Sequence, residues 1–226
     1  MRLIVLLMVV FWPFVVQAES APRQITVSAT GSVSAAPDMA MVRVGVTHEA
    51  RTAAEAMRGV SVAAASVLEN IASAGVEERD IQTSSLNLNP VWDHGNNRVP
   101  QIRGYVASTQ LAVRVRDLDG LGQLLDAVVG EGANTLDSLE FAISDPEPLR
   151  DAARADAVRK ARAKAETLAN AADVSLGPVQ SISEGGGARA PQPMMRGAMM
   201  ESAAVPVATG ELDVQVSVSM VFAIAD

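Results

Sequence analysis

The chain has 226 residues, a formal net charge of −8 and no cysteine. Its length suits one domain of ordinary size or two small ones, and the missing thiols exclude disulfides, thiol catalysis and lipid attachment at cysteine. An acidic chain without a basic tail is also a poor match for nucleic acid or for anionic lipid.

The first residues, MRLIVLLMVVFWPFVVQA, carry a positive charge at Arg2, an apolar run from Leu3 to Val16, and small residues at Val16-Gln17-Ala18. That layout predicts a signal peptide over residues 1–18, cut after Ala18. The run is too short for a retained anchor and is broken by Pro13, and no later stretch is long enough to cross a membrane. An exported chain without cysteine fits a bacterial periplasm. After cleavage the aromatic residues are Trp92, Tyr105, Phe141 and Phe222, so the core must be built from Val, Leu, Ile and Ala. The stacking platforms of single-strand binders are missing.

Ile25, Val27 and Ala29 alternate with polar residues, which predicts a first strand ending in a turn at Gly31 and Ala36-Pro37-Asp38. Met41 opens a second strand, with Val42, Val44 and Val46 on one face, and proximity predicts that the two pair as a hairpin. Thr52-Ala53-Ala54-Glu55 is a capping box. The helix behind it presents Met57, Val60, Ala64, Val67 and Ile71 and ends at Gly75. Ile81–Pro90 is a strand whose apolar parity changes, so a bulge is expected near Ser84–Ser85. Trp92–Pro100 reads as a loop.

Arg103–Asp117 is the most regular stretch. Tyr105, Ala107, Thr109, Leu111, Val113 and Val115 take one face, while Gln110, Ala112, Arg114 and Arg116 take the other. The period of two predicts a strand about 40 Å long. Asp117 is placed to cap a helix carrying Leu118, Leu121, Leu124, Leu125 and Val128. Leu139, Phe141 and Ile143 predict a further strand. Asp145-Pro146-Glu147-Pro148 starts a long helix, about Leu149–Ala172, with Val158, Ala161, Ala165, Leu168 and Ala172 on one face. Its six Lys/Arg between Arg150 and Lys164 are interleaved with acids, so they read as a salt-bridged, solvated face. Val179–Ser183 is a short strand. Residues 185–209 are an aperiodic Gly/Pro/Met/Ala loop expected to be flexible. Leu212 to Phe222 alternates again, with Asp213, Gln215, Ser217 and Ser219 on the wetter face, and is the natural partner of the other long strand. This mixed order predicts an α+β fold with largely antiparallel sheets, two long strands and three helices.

Little in the chain carries chemistry. His48 and His94 have no partner at ligand spacing, and there is no GxSxG or HExxH. Gly185-Gly186-Gly187 lacks the Lys-Ser/Thr of a phosphate loop and leads into no helix. No catalytic residue, no cofactor and no enzymatic activity are expected. One cluster fits a ligand: Met194, Met195, Met199 and Met200 place four thioethers in seven residues, a set suited to a soft ion such as Cu(I) and equally to an adaptable apolar strip.

The segments ITVSATGSVSAAPDMAMVRVGV, DIQTSSLNLNPVWD, GYVASTQLAVRVRDLDGLGQLLDAVVGEGAN and ARADAVRKARAKAETLANAADVSLGPVQSISEG resemble the bacterial SIMPL-domain proteins. The likeness runs from about Ile25 to Phe222, and residues 19–226 are read as one such domain. Its most specific parts are VxxTGxVxxxPDxAxVxxGV and the AraKAexLA helix; the Met-rich loop is not among them. The resemblance implies an α+β fold with two sub-sheets, a periplasmic or outer-membrane-associated location, and self-assembly into ring-like homo-oligomers in some members. It also implies a role in envelope or stress tolerance, with no active site to carry over. From the residues themselves two readings stay open: a non-enzymatic self-assembling envelope protein, and a small-molecule or soft-metal binding module.

Overall fold

The computed structural model describes residues 23–94, 99–185, 192–194 and 207–225. The strands are β1 (Gln24–Ala35), β2 (Met39–Ala50), β3 (Ile81–Asp93), β4 (Gln101–Val115), β5 (Thr135–Ala142), β6 (Ser175–Glu184), β7 (Gln192–Met194) and β8 (Glu211–Ala225). The helices are α1 (Ala53–Ser73), α2 (Leu121–Gly130) and α3 (Glu147–Ala171). The strand pairings are antiparallel and the fold is α+β, as expected. The segment 1–18 lies outside the described residues.

Two sheets divide the chain. One runs β1-β8-β6, with β7 also on β8; the other runs β3-β4-β2-β5. The predicted β1–β2 hairpin is therefore wrong. Pro37, buried between the strands, fixes the backbone of a connector that passes the chain from one sheet to the other. The two long strands do not pair either: β8 lies against β1 from Gln24↔Ala223 to Ala35↔Leu212, while β4 lies between β2 and β3. Everything from β2 to β5 belongs to the second sheet and its helices. We call this the inserted unit, and β1 with α3, β6, β7 and β8 the outer unit.

The inserted unit packs Val42, Val44, Val46, Leu111, Val113 and Val115 against Val67 and Ile71 of α1 and Leu121, Leu124, Leu125 and Val128 of α2. The capping box forms as read: Thr52 Oγ1 accepts from the Glu55 N–H, and Glu55 Oε2 from the Thr52 N–H. The β3 bulge sits between Thr83 and Ser85. Helix α2 starts at Leu121, three residues later than an N-cap at Asp117 predicts. Asp117 Oδ1 accepts from the N–H groups of Asp119 and Gly120, closing a turn ahead of the helix instead of capping it. After α2, the Asn134 side chain stands in for a strand: its amide donates to Thr47 O (2.7 Å) and its carbonyl accepts from the Thr47 N–H (2.9 Å).

In the outer unit α3 lies across β1 and β8 on a stripe of Ala153, Ala157, Ala161, Ala165 and Ala169, each 1% exposed or less. The predicted face is offset: Leu168 is 46% exposed and Ala172 lies beyond the helix, because a strict i, i+4 alanine row is what the close approach requires. Gly31 belongs to this contact, not to a turn. A Cβ there would stand 2.1 Å from Ala153 O. Asp213, expected on the wet face, is buried and accepts a hydrogen bond from Ser34 Oγ. Within the loop predicted over 185–209, Gln192–Met194 forms a strand on β8.

Candidate functional site

A cleft of about 200 Å³ lies where the exit of α1 meets the end of β4. Ala74 and Gly75 form one wall, Arg114 and Arg116 another, with Glu77, Asp117 and Gly120 at the rim. Gly75 takes the left-handed conformation (φ 85°) that turns the chain out of α1, and a single 3-10 turn, Glu78–Asp80, follows. That turn carries Asp80 beneath β4, where two arginines of like parity reach it. Arg116 donates from Nε (2.8 Å) and Nη2 (2.9 Å) in a two-point pair, and Arg114 Nη1 donates at 3.2 Å. Asp80 is buried, while both guanidinium groups are half-exposed.

The Arg116 hydrogen bonds outweigh burial and hold the Asp80 carboxyl below its ordinary range. The same bonds raise the Arg116 pKa. Arg114 Nε is buried without a protein partner. Both arginines are thus committed to a structural carboxylate, and acids flank them, so the cleft is no ready anion site. No nucleophile or histidine lines it. Its chemistry is that of a clamp fixing the α1–β3 passage to β4.

The sequence candidates are not assembled into a centre. Met194 lies in β7, facing Glu211 in register; Met195, Met199 and Met200 lie outside the described residues. His48 packs its ring over Gly59 of α1, and His94 follows β3 at the surface. Among the described residues no group of three or more His, Asp or Glu is placed to hold a metal. Five of the six α3 cations are paired with acids as expected: Arg150 with Glu147, Arg154 with Asp151 and Glu184, Arg159 and Lys160 with Asp156, and Arg162 with Glu166. Sequence reasoning missed Asp80. The available signal was Arg114-x-Arg116, two cations of like parity where a strand ends, but Asp117 beside them offered a nearer acid in sequence.

The surfaces differ in a second respect. Outer β1 is shielded by α3, whose Lys164 Nζ donates to Ser28 O (3.2 Å) and whose Asp156 Oδ2 accepts from the Ser32 N–H (3.3 Å). Strand β3 ends its sheet, and among the described residues no comparable helix contact covers its edge. Leu86, Leu88 and Trp92, at alternate positions of β3, are 58%, 42% and 48% exposed, and Ile102 beside Trp92 is 45% exposed. Beyond the Ala50↔Tyr105 pair, β3 and β4 continue as a two-stranded ribbon past the end of β2.

Comparison with known proteins identifies the chain. The family model described as SIMPL, a protein of unknown function (DUF541), matches residues 25–222. The chain belongs to the SIMPL family. The 26 kDa periplasmic immunogenic protein of Brucella melitensis is 40% identical over 218 residues, covering 92% of this chain and 87% of the relative. Its counterpart in Brucella abortus has the same identity and coverage. Uncharacterized protein YggE of Escherichia coli K12 is 32% identical over 197 residues, covering 86% of this chain and 79% of the relative. This SIMPL protein is periplasmic, and its family is described as one of unknown function. No helix among the described residues is long and apolar enough to cross a membrane.

Proposed function

We propose that this SIMPL protein assembles with copies of itself and supports the cell envelope or its tolerance of stress, after its signal peptide, residues 1–18, is removed. The observation that carries the reading is the uncovered edge and apolar face of the β3–β4 ribbon, set against a β1 edge that α3 shields. An open strand edge offers unpaired N–H and C=O groups to another strand. A row of exposed Leu and Trp beside it is the kind of surface a second copy removes from water. The alanine face of α3 is not available for this, since β1 and β8 already cover it.

Light scattering on the mature protein, beside a Leu86→Glu/Leu88→Glu variant, tests the proposal. The parent is expected to run as a multi-subunit species, and the variant as a smaller one with an unchanged circular dichroism spectrum. A parent that is monomeric at tens of micromolar defeats the reading. The binding-module alternative rests on the methionine run that begins at the end of β7. Titration with Cu(I) under reducing conditions, against a variant with Met194, Met195, Met199 and Met200 all changed to Leu, tests that reading. Equal heats remove it.

A further inference from the structure

The inserted unit joins the outer unit through two short passages, residues 36–38 and 143–146. Extensive packing between elements stays within each unit: α3 on β1, β8 and β6, and α1 on β2, β4, β3 and α2. Outside the two passages, Val207, ahead of β8, rests against the core of the inserted unit. The passages run side by side, and one residue binds them together. The Asp38 N–H donates to Ala142 O (3.2 Å). The Asp38 carboxylate accepts from the Ser144 N–H at Oδ1 (2.7 Å) and from Ser144 Oγ at Oδ2 (2.5 Å). Both carboxylate oxygens of an exposed aspartate are therefore spent on the opposite passage. The bond to Ser144 keeps this carboxyl more acidic than an ordinary aspartate, as a committed acceptor should be.

We propose that Asp38 is the latch of a hinge between the two units. With the carboxylate on Ser144, the passages form one rigid joint and the units keep a single relative orientation. With the latch open, the inserted unit swings about the paired passages while each unit keeps its own core. Hinges of this kind are a few residues at element ends that absorb backbone change. Proline at the second position of one passage and the last of the other, Pro37 and Pro146, confines the freedom to the residues between. The hinge stands whether or not the protein self-assembles.

The chain has no cysteine, so spin labels can be placed on Ala65→Cys in α1 and Ala163→Cys in α3, both exposed positions on opposite sides of the joint. Pulsed electron–electron distance measurement on the full chain should give one narrow distribution. Asp38→Ala should broaden it at least twofold, and Ser144→Ala should do the same. A pair within the inserted unit, Ala65→Cys with Ala127→Cys, should stay narrow in every variant. Should Asp38→Ala not fold, Ser144→Ala decides, because it leaves the Asp38 backbone bond to Ala142 in place. A parent distribution that is already broad, or an unchanged one in folded Ser144→Ala, overturns the latch.

Discussion

Gly31 shows how much one missing carbon permits. A Cβ at this position meets backbone on α3, Ala153 O at 2.1 Å and Ala157 N at 2.4 Å, and backbone cannot rotate aside. Gly31→Ala must push helix and strand apart, at a cost of about 1–3 kcal/mol. Gly130→Ala at the end of α2 meets nothing within 4 Å and should be neutral or slightly stabilising. Thermal melts of the two variants side by side check the contrast. Asp80 makes a prediction in pH. Its folded pKa lies below the ordinary value because Arg116 bonds the ionised form. Its stabilisation is therefore full above the pKa of an unfolded aspartate, about 3.9. It is lost as pH falls through the lower folded value. Melting temperatures of the parent and Asp80→Asn should differ most near neutrality and converge below pH 3, whereas a gap independent of pH would show that the charge on Asp80 does not matter.

Helix α3 depends on alanine as β1 depends on glycine. Its row from Ala153 to Ala169 leaves no room for a larger side chain, so Ala161→Leu should destabilise by about 1–3 kcal/mol, while Ala163→Leu on the exposed side should not. Denaturant titration separates the two. The same row explains why the face was misread in sequence: alanine recurs all around the helix, and Val158 and Leu168 drew the prediction toward the flank. Features set by neighbours in sequence were legible. The Thr52–Glu55 cap, the turn at Gly75, the β3 bulge and the α3 ion pairs each depend on residues a few positions apart. Strand pairing was not legible in the same way. Alternation says that a strand has two faces, but not which strand lies beside it, and the partner of β1 is β8, more than a hundred residues downstream, rather than the adjacent β2. Asp80 was hidden for the same reason. Its arginines are 34 and 36 residues away and only the fold brings them together.

For the molecule as a whole, the decisive fact is that β1 completes its sheet with β8 at the other end of the chain, as in Thr30 with Ser217, 187 residues apart. During synthesis β1 emerges early and has no partner until almost everything else has followed. The inserted unit has no such delay, since each of its strands finds a neighbour within its own span. Its ends also meet, Met39 opposite Ala142, so once folded it brings β1 and α3 to the same place. That shortens the loop β1 must close by roughly half, which removes about 0.6 kcal/mol of closure entropy. The order of assembly is therefore written into the topology: the middle of the chain first, the two ends last. Pulsed hydrogen exchange during refolding should protect amides of β2 and β4 before those of β1 and β8, and simultaneous protection would contradict it. A cell making this protein must keep a bare strand of β1 and its exposed backbone from pairing elsewhere while the rest arrives. The alternating Thr26, Ser28, Thr30, Ser32 and Ser34 suit that wait, because a strand polar on one whole face has little to gain from sticking to the wrong neighbour.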